Sequence, residues 1–600
     1  MPHDEFTALR RTVARRAHPS STGITLAALA LLAGCAQPVP DGEGLDAVPV
    51  FAGTPARPDP LTPKDVPMHP FLAEQSAFHD DHYNSDTTDF PAPLGLAPRV
   101  RSRAYSLCGT PRVDSQGRIV TQCGNPAFAV DPTAPPSLLY LLDGDTLEAL
   151  AATEFITGEF TGDEIGGGNY PHVLADDTVI NGGISGFLEQ YALVEDGDGL
   201  RWEFTQPQDF RAGIPAGDAL FDVMPDFDNR YWYATVGGDA VGGVTVGVVE
   251  EVGVGLEPKT TFLAGEQVEN GLAVGEDGVY VLTTEALYAF NVNDAGEPLQ
   301  RWREAYDSVP KPPESGLFSE GSGSTPTLLG REYVAITDND SPRINLLVFK
   351  RGDDVVGERL VCKVPLFAPD ASANDLSVIG HERSLVVTNW YGAAPPIEIA
   401  PGMTVPPLIS DFRGLAGGMT RVDVREDESG CDVVWENPDI RTTSVPKLST
   451  TTGLIYLLGQ RIDDITEAQT PPIDAYYMQT VSMATGEIAF EVLTGTGPYA
   501  AGGGLTTTIG PNGAFYQATA GGLHKVQDEA EGARYWVRYR RMLISPAYRE
   551  FWAALSEQYS LERTREEDIR RTDCNQETLL TSVLALLGGG LPVCDVFGSP

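Results

Sequence analysis

His79-Asp80-Asp81-His82 is the densest set of metal-capable side chains in this 600-residue sequence. Two histidines three residues apart can reach one ion, with carboxylates beside them to add charge. No third histidine or cysteine lies close by in the chain, although His172 can approach in space, so the plainer reading is a polar stretch of linker laid over a neighbouring surface. A second set is built on oxygen. Asn270 follows Glu269 and Asn374 precedes Asp375, each opening an apolar run, Asn270–Val274 and Asn374–Val378. Oxygen-only donors suit calcium, which is the one cofactor these residues suggest. His172, Asn270, Asn374 and Asp375 are the candidate ligand-binding residues, and the alternative is that small polar residues merely cap strands. Serine-hydrolase chemistry is not expected, since Gly-x-Ser-x-Gly is absent and the eight histidines are scattered.

The elements that must position these residues are strands. From about Val100 to Val526 the chain reads as short apolar runs broken by Gly, Asp and Asn, with no helical periodicity between them. The runs recur every 40 to 60 residues or so, which is the mark of a repeat architecture. Each unit pairs a short strand with a strongly apolar one: Pro171–Leu174 with Thr178–Ile180, Leu272–Val274 with Val279–Leu282, Thr325–Leu328 with Tyr333–Ile336. Leu376–Val378 with Leu385–Val387, Pro446–Leu448 with Leu454–Tyr456, and Thr506–Thr508 with Ala514–Tyr516 continue the series, and the segments near Tyr105 and Phe221 are degenerate copies. The expectation is an all-β propeller over 99–530 with eight blades, seven being the alternative. Closing repeated sheets into a ring removes exposed edges and allows one domain of this size. The lead-in residues of the innermost strands (Asn169, His172, Asp218, Glu269, Asn270, Ser322, Ser324, Asn374, Asp375, Ser444, Gly503, Gly504) then ring one mouth of a central funnel.

Several units add a Tyr-Ala-Leu/Phe strand, a glycine turn and a tryptophan-bearing strand. Tyr288-Ala289-Phe290-Asn291 with Gly296 and Trp302 is the fullest copy, and Tyr191-Ala192-Leu193 with Gly199 and Trp202 the next. This pattern resembles the repeat of PQQ-type quinoprotein propellers. The resemblance implies the scaffold and not the cofactor, since the adjacent-cysteine pair of those dehydrogenases is missing. The Asn-Gly and Asn-Asp runs resemble those of calcium-dependent lactonase propellers, which implies a metal-dependent hydrolase or lactonase, or a degenerate quinoprotein oxidoreductase, as the enzymatic alternative to a binding module.

At the N-terminus, Leu32-Ala33-Gly34-Cys35 closes an apolar run, Ile24–Leu32, behind Arg10, Arg11, Arg15 and Arg16. The run is too short to span a bilayer, and the whole resembles the signal peptide and lipobox of bacterial lipoproteins. That resemblance implies cleavage after residue 34, lipidation of Cys35, and an outer-membrane or cell-surface location. Residues 35–98 are Pro-rich and acidic and read as a flexible tether. Residues 531–600 read as a helical C-terminal cap, with Tyr548, Phe551, Trp552, Leu555 and Tyr559 at helical spacing and a basic–aromatic stretch, Arg534–Arg541, ahead of it. A formal charge of −43 excludes nucleic acid as a general partner, leaving the membrane through its anchor and a protein or small-molecule ligand. Apart from Cys35 the cysteines number six, an even count that in an exported chain indicates disulfides. Nearest-neighbour pairing is expected: Cys108 with Cys123, Cys362 with Cys431, Cys574 with Cys594.

Overall fold

Gly278–Leu282, Tyr333–Thr337 and Leu454–Gln460 are buried at nearly every position. A strand sends successive side chains to opposite faces, so a run buried without alternation must be covered on both. A radial stack of sheets does this, and it is what the chain forms. The computed structural model describes residues 49–528 apart from short internal stretches, the longest being 126–134, 156–169, 406–413 and 462–474. The expected signal peptide, Cys35, the basic–aromatic stretch, the expected C-terminal helices and the expected Cys574–Cys594 pairing lie outside the described residues.

Eight antiparallel sheets follow one another around a ring, each running from an innermost to an outermost strand. Blade 1 begins with Arg112–Val113, blade 2 with His172–Val173, blade 3 with Leu220–Pro225 and blade 4 with Ala273–Gly275. Blades 5 to 8 begin with Thr327–Leu329, Ile379–His381, Lys447–Ser449 and Thr507–Ile509. The count is eight, and the two degenerate copies are true blades. Near Tyr105 the chain does two jobs. Pro98–Ala104 pairs with Gly522–Asp528 as the outermost strand of blade 8, then crosses over to begin blade 1. The ring is thus closed by strands from opposite ends of the sequence.

The apolar core is a set of wedges between neighbouring sheets. One wedge joins blades 4 and 5 through Tyr280, Trp302, Val334 and Phe349, and another joins blades 7 and 8 through Tyr456, Phe490 and Phe515. The outer-strand tryptophans serve these wedges. Trp302 donates its indole N–H to the Arg351 carbonyl of blade 5 at 3.2 Å, and Trp435 of blade 6 does the same to the Met483 carbonyl of blade 7 at 3.0 Å. Gly486 turns with a φ of +74° directly against the Trp435 ring, where a side chain would collide. Outermost strands alternate and open to solvent, as in Ala149–Glu154. Both described disulfides follow nearest-neighbour pairing. Cys362–Cys431 ties the outer strands of blades 5 and 6, and Cys108–Cys123 staples the closing crossover to blade 1.

Residues 49–98 depart from the expected tether. Phe51–Gly53 adds a strand to the outer edge of blade 7, and nearly every residue from 75 to 98 is buried. Prolines and aspartates make this stretch look like a linker, but its backbone groups are satisfied by strands far away in sequence.

Candidate functional site on the central axis

Residues 71–90 cross the ring at the innermost strands and close the channel with the protein's own chain. Their carbonyls accept hydrogen bonds blade by blade. Ser76 receives the Val173 N–H of blade 2, His82 the Val274 N–H of blade 4, and Tyr83 the Leu328 N–H of blade 5. Ser85 receives Gly380 of blade 6, and Asp86 receives Leu448 of blade 7. Thr87–Thr88 then runs parallel to Lys447–Ser449, and the Gln75 amide donates to the Ile509 carbonyl of blade 8 at 2.7 Å. The innermost strands would otherwise present open edges to the channel, and an unpaired buried amide is costly. Asp80, Asn84 and Asp86 all have positive φ. Aspartate and asparagine tolerate that conformation better than other side chains, which lets the segment coil tightly enough to fit.

The expected metal cluster lies in this plug, and its histidines turn apart. The His79 Nδ1 faces Asp86 at 3.3 Å, while the His82 ring nitrogens stand against the carbonyls of Val274 at 2.7 Å and Pro67 at 3.0 Å. The carboxylates are met by lysines instead. Lys64 lies 3.0 Å from Asp81 and 3.5 Å from Asp80, and Lys447 lies 2.5 Å from Asp86 and 4.0 Å from Asp80. Burial pushes the Asp80 carboxyl up from its usual range. Burial would raise Asp81 too, but the ammonium of Lys64 holds it low. Among the described residues no group of three or more His, Cys, Asp and Glu side chains could hold a metal ion.

Of the funnel residues, Asn169 and Gly503 lie outside the described residues, and several of the others bond to a neighbouring blade. His172 is 1% exposed, and its Nε2 lies 2.6 Å from Asp222 of blade 3. The other Asp222 oxygen accepts the Leu272 N–H of blade 4 at 2.8 Å. The Asn270 amide donates to the Ser322 carbonyl ahead of blade 5 at 2.8 Å. Glu269 accepts the Glu320 and Gly321 N–H groups, and burial raises its carboxyl above the usual range. Asn374 donates to Thr337 at 2.9 Å, and its amide oxygen accepts the N–H of its own neighbour Leu376 at 3.1 Å. Asp375 accepts the Ser319 N–H at 3.3 Å. These are latches from blade to blade. His172, Asn270 and Asn374 each bond to a different set of groups and share no hydrogen-bond partner.

Sequence reasoning missed Lys64, Asp86, Arg112, Asp222 and Lys447. One signal was present. Lys447 and Arg112 are charges inside short innermost strands that are otherwise small or apolar, and such a charge must find a partner or a ligand on the axis.

No family model and no curated protein matches this chain. Among solved structures it is similar to Sqt1 of Chaetomium thermophilum (11% identity, TM-score 0.39), with 74% of this chain and 99% of that one covered. A streptogramin B lyase (8%, TM-score 0.32) covers 72% of this chain over 97% of its own, and the computationally designed Ika8 protein (10%, TM-score 0.36) covers 71% over 98%. Likenesses this distant assign neither a substrate nor a partner.

Proposed function

We propose that this chain is an exported, lipid-anchored β-propeller that works as an interaction module through its surface and not as an enzyme of its channel. The observation that carries the reading is the plug. The site where a propeller enzyme would hold its substrate or metal is filled by residues 71–90, with the plug carboxylates met by Lys64 and Lys447. The Tyr-Ala-Leu/Phe, glycine and tryptophan pattern supports a PQQ-like scaffold whose repeats serve packing.

Leu32–Cys35 supports the anchor. The described residues begin at 49, so residues 36–48 lie between them and the lipidated cysteine. Thirteen residues span about 45 Å when fully extended, so the ring works close to the membrane that holds it.

Two measurements test this reading. Expressed in a bacterial host, the wild type should enter the detergent phase and incorporate labelled palmitate, and Cys35→Ser should abolish both. Elemental analysis of purified protein should find no stoichiometric calcium. One calcium per chain, lost in Asn270→Ala/Asn374→Ala, would replace the interaction reading with a metal-dependent hydrolase.

A further inference from the structure

Arg112 opens blade 1 and is among the largest fully buried side chains of the protein, 2% exposed. Its Nη1 donates to the Thr110 carbonyl at 3.1 Å, while its Nε and Nη2 meet no acceptor. Among the described residues, the carboxylate that acts on it is Asp222, and both Asp222 oxygens are already spent on His172 and the Leu272 N–H. Burial pushes the guanidinium down to about 9, the direction expected of a cation with too little counter-charge.

The plug places further unpartnered groups over the same strand. Gln75 is pinned to Ile509 of blade 8, and Ser76 to Val173 of blade 2. Blade 1, which Arg112 opens, lies between those two in the ring, so residues 75 and 76 cross from blade 8 to blade 2 past its place. The Gln75 Oε1, the Ser76 Oγ and, on the blade 2 side, the His172 Nδ1 are all buried without a hydrogen-bond partner. Buried polar atoms are ordinarily paired with protein, water or a bound group. A buried guanidinium with two free donors, together with orphans on the crossing segment and on the adjoining blade, marks a place built for something else.

We infer that Arg112, roofed by Ser76 and flanked by His172, is a binding site for a small carboxylate on the axis beneath the plug. The Nε–Nη2 edge of arginine matches the two oxygens of a carboxylate in a parallel fork. The Ser76 hydroxyl adds a donor from above. A carboxylate fits better than a larger dianion, because Asp222 already supplies part of the negative charge nearby.

The site lies inside the ring, so binding is read by linkage: a ligand held only by the folded state raises stability with the logarithm of its concentration. Urea unfolding of the full chain is followed in sodium acetate and in sodium chloride at matched ionic strength. The midpoint should rise with acetate, and not with chloride. Arg112→Lys keeps the charge but loses the fork, and should weaken the acetate response at least tenfold in concentration. Ser76→Ala, which leaves the arginine untouched, should weaken it by a smaller factor and covers the case in which Arg112→Lys does not fold. A parallel series with N-acetyl-dialanine separates the sources. A response to acetate alone points to a free small acid, and a response to both points to a chain terminus. No acetate dependence in the wild type, an equal response to chloride, or an unchanged response in the variants would overturn the assignment.

Discussion

Lys447 and Asp86 meet at 2.5 Å beside the innermost strand of blade 7, both side chains essentially without solvent, although 361 residues separate them. Lys447 belongs to the innermost strand of blade 7 and Asp86 to the plug, so this contact joins the N-terminal segment to one of the last blades to be synthesised. Asp86 also accepts a hydrogen bond from Ser377 ahead of blade 6. One carboxylate therefore holds two blades and the plug together.

Removing one side of such a pair leaves a buried charge unmet, which costs about 3–5 kcal/mol. Lys447→Met should lower the unfolding free energy by roughly that amount. The double variant Lys447→Met/Asp86→Asn should recover part of the loss, because the orphaned carboxylate is gone. Equal destabilisation by single and double variants in urea titrations would refute the pairing.

The plug also predicts where a protease can cut. Residues 75–98 are buried against the innermost strands and blades 7 and 8. Limited thermolysin digestion of the folded protein should leave this stretch uncut and attached to the propeller, as read by mass spectrometry. A chain that starts at Arg99 should fail to give a cooperative melt, since it leaves Lys447 without Asp86.

The two disulfides should differ in worth. Cys362–Cys431 spans 69 residues and Cys108–Cys123 spans 15. Loop-entropy scaling gives about 4 kcal/mol for the longer and about 3 kcal/mol for the shorter. Cys362→Ser/Cys431→Ser should therefore lower the urea midpoint more than Cys108→Ser/Cys123→Ser, and peptide mapping without reductant should recover both pairs.

Asp528 sets a pH dependence. Burial pushes its carboxyl up to about 7, against the opposing donations of the Leu94, Gly95 and Leu96 N–H groups. Its unfolded value is 3.8, so between the two values the unfolded chain releases a proton that the folded chain keeps. Its contribution to stability is fully present below 3.8 and is lost as pH rises through 7. Buried His69 and His524, lowered by desolvation to about 3 and about 4, act in the opposite sense and gain stability as pH rises toward 6.5. Asp528→Asn isolates the first effect: the stability of the wild type relative to the variant should fall from pH 4 to pH 7.

The ring was legible in the sequence because its cause is local. Val279–Leu282 and Leu454–Tyr456 are apolar at consecutive positions, and only sheets covered on both faces explain that. The tryptophans announced contacts between blades for the same reason, since a large amphipathic ring on an outer strand needs a neighbour and an acceptor. Cysteine pairing followed from count and order. Blade 6 shows the limit of such reading. Its innermost strand is Ile379–His381 and not 376–378, because Asn374 caps Leu376 and Ser377 turns to Asp86.

The sequence by itself determined the propeller, its eight units and the two described disulfides, all of which depend on apolar spacing and residue type. Only the tertiary structure decided that residues 71–90 fill the channel, that His79 and His82 part company, and that the Nε and Nη2 of Arg112 stand without an acceptor. The physical reason is that these depend on pairing across hundreds of residues. A polar segment reads as linker until the strands that receive its carbonyls, and the lysines that meet its carboxylates, have been brought around the ring.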